Sequence, residues 1–319
     1  MIEVKNLTKR YGDHLAVDHL NFTVESGKIY GFLGPNGAGK STTMNIMTGY
    51  LGATEGQVLI DGHDILKEPE EAKKNIGYLP EIPPLYMEMT VREYLEFAAE
   101  LKGIKKDKRE PQIEEVIRLA KLRDVENRLI QNLSKGYKQR VGLAQAVLGF
   151  PEIIILDEPT VGLDPKQIIE IRELIRKLAK KHTVILSSHI LAEVREVCDY
   201  IMIISEGKLV ASDTTENLEN MMSGKGQIEV EAKASRDEMD HIIRRTGKIK
   251  EVKYRTSASG ITTAQIIAKG GEDIREELFL AFSHADVPML TLNQSKTTLE
   301  EIFLELTQGS GNRMIKEEK

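Results

Sequence analysis

The sequence predicts an α/β fold built on a largely parallel sheet, followed by a small α+β domain. Short β-branched runs alternate with amphipathic helical patterns through the first two-thirds of the chain, an order typical of a parallel sheet covered by helices. The length of 319 residues exceeds the usual size of one domain, about 100–200 residues. Hydrophobic residues make up 40 % and charged residues 29 % of the chain, which indicates a globular protein with a sizeable core.

The first domain is predicted to span residues 1–222. Its expected strands are short and rich in β-branched residues, namely Lys28–Leu33, Gln57–Ile60, Ile153–Asp157, Thr183–Ser187 and Tyr200–Ile204. From Thr90 to Gly149 the pattern is helical almost throughout. This change predicts a helical subdomain, at about 90–149, inserted into the α/β core.

A small α+β domain is predicted for residues 226–308, after the polar, glycine-containing stretch Ser223–Gly226. Strands are expected at Gln227–Ala232, Ile249–Thr256 and Thr262–Ala268, and helices at Ser235–Thr246 and Glu272–His284. The tail, 309–319, has no periodicity and is expected to be disordered.

Composition and charge exclude several classes of protein. The formal net charge of −6 gives no general attraction to nucleic acid, since such binding depends on lysine and arginine at the phosphates. Apolar runs such as Ile153–Leu156 are far shorter than the roughly 20 residues that span a bilayer. The segment Met1–Arg10 lacks the layout of a secretory signal. The chain is therefore expected to reside in the cytosol.

Cysteine and histidine usage argues against a disulfide or a zinc site. Cys198 is the only cysteine, so an intramolecular disulfide is impossible. Six histidines are scattered singly among polar residues and are expected at the surface, namely His14, His19, His63, His182, His241 and His284.

A phosphate-binding loop is predicted between the expected strand Lys28–Leu33 and a helix. Its residues fit G-x-x-x-x-G-K-[ST] and are Gly34, Pro35, Asn36, Gly37, Ala38, Gly39, Lys40 and Ser41, with Thr42 next in the helix. The glycines let backbone N–H groups approach phosphates, and the helix directs its positive end toward them. Lys40 is expected to neutralise the β- and γ-phosphates of ATP, and the Ser41 hydroxyl to ligate Mg²⁺.

Two adjacent carboxylates end the apolar strand Ile153–Asp157. Asp157 suits Mg²⁺, directly or through water, as in other phosphate-loop enzymes. Glu158 is then free to act as general base toward the attacking water. Alone, an Asp-Glu pair at the end of a strand also fits an ordinary strand cap, but after a phosphate loop the catalytic interpretation is favoured.

Further motifs resemble those of the ABC ATPases, a P-loop NTPase family. The segment Leu133-Ser134-Lys135-Gly136-Tyr137-Lys138-Gln139 resembles the ABC signature, usually LSGGQ. Val161-Gly162-Leu163-Asp164 matches the D-loop, His189 the switch histidine, and Tyr11 the aromatic residue that stacks on adenine. The motifs cover roughly the first two-thirds of the chain in the family's order and spacing.

The resemblance implies an ATP- and Mg²⁺-dependent ATPase with an N-terminal antiparallel β subdomain. It implies that two copies meet head to tail, so that Ser134 and Gly136 bind the γ-phosphate held by the other copy. Asp164 belongs to the same nucleotide site, and His189 contacts the γ-phosphate alongside Lys40. An integral membrane permease is the implied second partner, which would hold the chain at the inner face of the cell membrane. The segment Gly77–Glu81 matches the family's Q-loop. Adaptable apolar residues that suit the permease contact follow it, namely Leu85, Tyr86, Met87 and Met89, although a structural loop is a comparable interpretation.

Two positions depart from the commonest family pattern. Lys135 replaces the first signature glycine, and Glu81 replaces the Q-loop glutamine and is a candidate Mg²⁺ ligand. Both departures resemble the subfamily that pairs with six-helix export-type permeases in drug-resistance, sodium-export and gliding-motility systems. That subfamily also often has a C-terminal extension with a segment like Thr297–Phe303.

Two alternatives to a transporter subunit fit the sequence less well. A soluble ABC protein of translation or DNA repair would usually carry two cassettes or a long coiled coil, and the sequence has neither. A nucleotide-bound regulatory protein is argued against by the intact Lys40, Asp157, Glu158 and His189. The predicted function is therefore ATP-driven export of an unidentified substrate through a separate permease.

Overall fold

A computed structural model describes residues 1–218, 227–257 and 260–295, together with positions 303 and 307. The chain divides into two units, Met1–Thr214 and Thr215–Lys319. The predicted boundary at 222–226, residues 297–302 of the C-terminal segment and the tail 309–319 lie outside the described residues.

The first unit contains two sheets. An antiparallel sheet has the order β2-β1-β4-β5, with β1 at Ile2–Tyr11, β2 at His14–Val24, β4 at Glu55–Ile60 and β5 at His63–Asp64. The second sheet has the order β10-β9-β3-β8-β7-β6 and is parallel except for β10. Its strands are β3 at Ile29–Leu33, β6 at Ile76–Leu79, β7 at Ile153–Leu156, β8 at Thr183–Ser188, β9 at Tyr200–Ser205 and β10 at Lys208–Thr214.

Seven helices are described in the first unit. They are α1 at Lys40–Met47, α2 at Pro69–Lys74, α3 at Val91–Leu101, α4 at Lys106–Leu119, α5 at Lys135–Val147, α6 at Pro165–Ala179 and α7 at Leu191–Val197. Met44 and Met47 of α1 are fully buried in the core that joins the two sheets. Each contributes about 1.5–3 kcal/mol of burial free energy, so the phosphate-loop helix is fixed against both sheets.

The helical segment is less continuous than its pattern predicts. The stretch from Ala120 to Ser134 has no α-helix and only a 3-10 turn at Ile130–Asn132. Lys121 has a φ of 53° directly after α4, and this left-handed conformation ends the helix. The chain then turns back to the signature segment at the start of α5.

His182 corrects one expectation, because it is buried and not at the surface. Its Nδ1 lies 2.6 Å from the Pro151 carbonyl oxygen, and its ring stacks on Phe150. Those contacts join residues about thirty positions apart, so local polarity could not reveal them. Within the described residues no group of three or more histidine, cysteine or acidic side chains could hold a metal ion.

The second unit has the element order of a split βαβ (ferredoxin-like) fold. Its sheet is antiparallel with the order β12-β13-β11-β14, and helices α8 at Arg236–Arg244 and α9 at Arg275–His284 join the core. The strands are β11 at Gln227–Ala232, β12 at Ile249–Thr256, β13 at Thr262–Ala268 and β14 at Met289–Ser295. The last strand was not predicted. Across the described parts of both units, no helix has the length and apolarity needed to span a bilayer.

Removing Ser223 to Lys319 is expected to leave a folded, ATP-binding protein. Every residue predicted at the nucleotide site lies within Met1–Thr214, and the second unit has its own hydrophobic core. Calorimetry and nucleotide titration of the truncated and full chains provide the test. A truncated protein that melts cooperatively but no longer binds ATP would show that the second unit contributes to the site.

Candidate functional site

The phosphate loop connects β3 to α1 at the carboxyl end of the parallel sheet. Gly39 caps α1 with a φ of 100°, and a Cβ there would lie 2.5 Å from the Ala16 carbonyl oxygen. Only glycine satisfies both the conformation and the close approach. Lys40 Nζ donates hydrogen bonds to the carbonyls of Gly34 at 2.8 Å and Pro35 at 3.2 Å. The loop therefore curls around the lysine ammonium.

Asp157 lies beside the start of α1, as the sequence predicts. Its Oδ1 accepts hydrogen bonds from Ser41 Oγ at 3.3 Å and Ser187 Oγ at 2.5 Å. Burial raises the pKa of the Asp157 carboxyl above its usual value, and these two hydrogen bonds oppose the shift. A hydroxyl and a carboxylate oxygen from different elements thus converge. This donor set fits Mg²⁺, which prefers oxygen ligands and usually combines one or two carboxylates with substrate phosphates.

Glu158 lies between two potential cations. Its Oε1 is 3.4 Å from Lys40 Nζ, and its Oε2 is 2.9 Å from His189 Nδ1. The Glu158 side chain is only 7 % exposed. Its backbone N–H donates to Ser187 Oγ at 2.9 Å. The predicted base, the phosphate-loop lysine and the switch histidine therefore form one cluster.

One cavity of about 540 Å³ gathers most of the predicted residues. Its lining residues are Tyr11, His14, Ala16, Asn36, Gly37, Gly39, Lys40, Ser41, Thr42, Glu81, Glu158, Val161 and His189. Tyr11 is about half exposed there, so its ring is accessible to a nucleotide base. Glu81 is also exposed at the cavity.

The signature residues are not part of this cavity. Ser134 caps α5 and accepts a hydrogen bond from the Tyr137 N–H at 3.4 Å. Gly136 is packed so closely that a Cβ would lie 2.4 Å from Gln167 Cδ. Asp164 caps α6 through the Gln167 N–H at 2.9 Å. Gly136 and Asp164 line a second opening that shares no residue with the first.

Lys135, the departure from the signature glycine pair, lies against the D-loop. A Cβ on Gly162 would approach the Lys135 ammonium to 2.2 Å. Gly162 also has a φ of 71°, so a side chain there would be unfavourable for the backbone conformation. The signature and D-loop segments are thus packed together within one chain.

Two residues at the site were not predicted. Ser187 connects Asp157 to the Glu158 backbone through one hydroxyl, although the sequence analysis assigned it only to a strand. His14 is exposed, as expected, but it lines the same cavity opposite Tyr11 at the end of the β1–β2 hairpin. The serine pair Ser187-Ser188, directly before His189, is the sequence feature that could have indicated Ser187.

Comparisons with known proteins agree with this geometry. The ABC transporter family model matches residues 17–161. The bacitracin transport ATP-binding protein BcrA of Bacillus licheniformis is 45 % identical over 212 residues, which are 66 % of this chain and 68 % of that protein. The linearmycin resistance ATP-binding protein LnrL of Bacillus subtilis is 31 % identical over 308 residues, 96 % of this chain and 98 % of that protein. The latter match therefore includes the second unit.

Solved structures give the same result. An ATP-binding subunit of an ABC transporter is 32 % identical with a TM-score of 0.64, covering 69 % of this chain and 92 % of that one. The ATP-binding cassette MJ0796, a dimer in a post-hydrolysis state with ADP and Pi, is 28 % identical with a TM-score of 0.62, covering 67 % and 98 %. The phosphate loop, Glu158 and His189 line one cavity, and Asp157 is hydrogen-bonded to Ser41 beside it. Together with these matches, this geometry shows that the chain belongs to the family of ABC transporter ATP-binding proteins.

Proposed function

We propose that two copies of this ABC ATPase pair head to tail around ATP and power export through a separate membrane permease. One observation carries the pairing. The phosphate loop and the signature line separate openings of the same chain, so each opening has only part of the residues that the family places around one ATP. Head-to-tail pairing completes both sites at once, and the dimeric cassette among the structural relatives supports it.

The chain's own residues have distinct roles in this proposal. The phosphate-loop backbone and Lys40 bind the β- and γ-phosphates, and Tyr11 stacks on the adenine. Ser41 and Asp157 hold Mg²⁺, which neutralises phosphate charge when bound. Glu158 accepts the proton of the attacking water. In this proposal His189, which is hydrogen-bonded to Glu158, contacts the γ-phosphate alongside Lys40.

The signature residues act on the nucleotide bound by the other copy. Ser134 and Gly136 lie at the start of α5, whose N-terminus carries the positive end of the helix dipole. They therefore attract the γ-phosphate. Asp164 caps α6 at the end of the D-loop, whose Gly162 packs against Lys135 of the signature. ATP then stabilises the dimer, and hydrolysis weakens it because the bridging γ-phosphate is released.

The permease contact is proposed for the segment after Glu81. Ile82, Tyr86 and Met87 are 82 %, 52 % and 39 % exposed, although apolar side chains of this size usually lie inside a protein. The Tyr86 ring packs against the rings of Tyr94 and Phe97.

Relatives named for bacitracin transport and linearmycin resistance favour export of such compounds. On this proposal the chain works in the cytoplasm, at the inner face of the membrane.

Ile82→Asp is expected to abolish co-purification with the permease and leave the ATPase of the isolated chain within about twofold. A charge at a buried apolar contact costs several kcal/mol, whereas at an exposed side chain it costs the fold little. The membrane partner is expected to be the product of a neighbouring reading frame with about six transmembrane segments. This chain and the membrane partner are co-expressed, extracted in detergent and captured through a tag on this chain.

Tyr50→Asp is the matched control, because Tyr50 is 83 % exposed outside this segment and should retain the partner. If wild-type chain never co-purifies with that membrane protein, and its ATPase rate is the same with or without it, a soluble role unconnected with transport is favoured instead.

Glu81→Gln is expected to shift the Mg²⁺ dependence of hydrolysis to higher concentration more than it weakens ATP binding. Glu81 lines the nucleotide cavity, and a carboxylate is a better Mg²⁺ ligand than an amide. The measurement is ATPase rate against Mg²⁺ for both proteins, with Glu88→Gln, an exposed acid seven residues on, as control. Superimposable curves for wild type and Glu81→Gln would exclude Glu81 as a metal ligand.

A further inference from the structure

Glu193 is a buried acid without a role in the proposed mechanism. It lies on α7, directly after the switch histidine, and is only 6 % exposed. Burying a carboxylate is unfavourable unless hydrogen bonds compensate for the lost water. Its Oε2 accepts hydrogen bonds from Thr160 Oγ1 at 2.5 Å and from Ser188 Oγ at 3.3 Å. Both hydroxyl residues are buried as well, at 6 % and 1 % exposure.

These two hydroxyls belong to segments that carry catalytic side chains. Thr160 lies two residues after Glu158, in a turn closed by a hydrogen bond from the Val161 N–H to the Glu158 carbonyl at 3.2 Å. Ser188 immediately precedes His189, and its Oγ accepts the Ile190 N–H at 3.0 Å. Ser188 therefore fixes the backbone around His189, because its hydroxyl accepts the Ile190 N–H and donates to Glu193.

The Glu158 backbone needs such support. Its φ of 47° lies in the left-handed region, which costs a residue other than glycine about 1–3 kcal/mol and persists only where the surroundings hold it. Ser187 holds the Glu158 N–H on one side. The contact between Thr160 and Glu193 holds the following turn on the other.

We propose that Glu193 is a positioning residue that keeps Glu158 and His189 in the geometry needed for hydrolysis. It acts through Thr160 and Ser188 and does not line the nucleotide cavity. The inference rests on the proposed roles of Glu158 and His189. Glu193 of α7 therefore supports the hydrolysis step and makes no contact with the nucleotide.

Glu193→Ala removes both hydrogen bonds and should lower kcat about 10–100-fold, the effect of displacing a catalytic group by about 1 Å. The KM for ATP should stay within about twofold. Glu193→Gln should keep kcat within about threefold, because both hydroxyls donate to the same oxygen and an amide oxygen can replace it. Glu196→Ala is the matched control, since that exposed carboxylate on the same helix pairs with Arg172 and should leave kcat unchanged.

A second measurement does not depend on ATPase activity. Hydrogen exchange at the Val161 and Ile190 amides of the nucleotide-free full chain should be at least about tenfold faster in Glu193→Ala than in wild type, and near wild type in Glu193→Gln. Thr160→Val and Ser188→Ala remove one hydroxyl each and should each accelerate exchange in their own segment. They provide the same test if Glu193→Ala does not fold.

The proposal is overturned if these amides exchange at wild-type rates after the substitutions, or if Glu193→Ala retains wild-type kcat. Equal loss of kcat in the Ala and Gln variants, or a change in KM alone, also overturns it. A wild-type chain without Mg²⁺-dependent ATPase would contradict the proposed function instead, and the exchange experiment would still decide the role of Glu193.

Discussion

Glu158→Gln is expected to lower ATP turnover by about 10²–10⁴-fold, the usual contribution of a general base, while ATP still binds. The amide has the shape of the carboxylate but cannot accept the proton of the attacking water. Lys40, which pairs with Glu158 at 3.4 Å, remains available to the phosphates. An ATP-bound dimer should therefore accumulate, and size-exclusion chromatography with light scattering in excess ATP and Mg²⁺ would detect it.

The control for this experiment is Glu152→Gln, an exposed acid at the other end of β7, which should leave turnover unchanged. Ser134→Ala in the Glu158→Gln background tests the trans contact, because it removes a signature hydroxyl without touching the phosphate loop. A Glu158→Gln chain that binds ATP, fails to hydrolyse it and stays monomeric at concentrations well above its nucleotide affinity would contradict the head-to-tail model.

The proximity of the proposed nucleotide-binding residues could be predicted from sequence because their positions are local to strand ends. The phosphate loop follows β3, Asp157 follows β7 and His189 follows β8, and these three strands are neighbours in one parallel sheet. Carboxyl ends of parallel strands meet at one edge, so residues far apart in sequence are brought together. Spacing and residue type were therefore sufficient to predict that these residues share one edge of the sheet.

The supporting hydrogen bonds could not be predicted in the same way. Ser187 and Glu193 act through partners about thirty residues away, and each lies in an element whose own pattern indicates only a strand or a helix. Whether a serine or glutamate faces the core depends on packing between elements. Their roles therefore became visible only with the side-chain geometry.

Two of the strands that were not predicted, β6 and β14, have weak sequence patterns. β6 has only four residues, Ile76–Leu79, including a glycine that packs against the Ala146 carbonyl. β14 at Met289–Ser295 carries polar residues on alternate positions beside Leu290, which is exposed. Both are edge strands of their sheets. An edge strand buries less surface, and its hydrophobic pattern is correspondingly weaker.

Asp157→Asn is expected to have opposite effects on activity and on stability. Hydrolysis should fall by at least about 10²-fold, because an amide is a poor substitute for the carboxylate at a Mg²⁺ site. Without nucleotide, however, the variant should melt about 2 °C higher than wild type. The amide oxygen can still accept the hydrogen bonds that Ser41 and Ser187 give to Oδ1, and no charge has to be buried.

The pH dependence follows from the direction of the Asp157 shift. Burial raises its pKa in the folded protein above the value of about 3.9 in an unfolded chain. Between these two values the folded state binds more protons, so its stability falls as pH rises through the folded pKa. The free-energy cost of burying the ionised Asp157 carboxylate is therefore fully present at neutral pH. The stability advantage of the Asn variant should therefore be largest near pH 7 and shrink as pH approaches 4.

Calorimetry with and without Mg²⁺ and ATP separates these effects within one protein. A ligand present at 100 times its Kd stabilises the folded state by about 2.7 kcal/mol, so wild type should show a clear rise in Tm that the Asn variant loses. General damage to the fold cannot produce a higher Tm without nucleotide together with a smaller gain from it. An Asn variant that melts below wild type at pH 7, or gains equally from Mg²⁺ and ATP, would show that Asp157 is a structural acid and not the desolvated metal ligand.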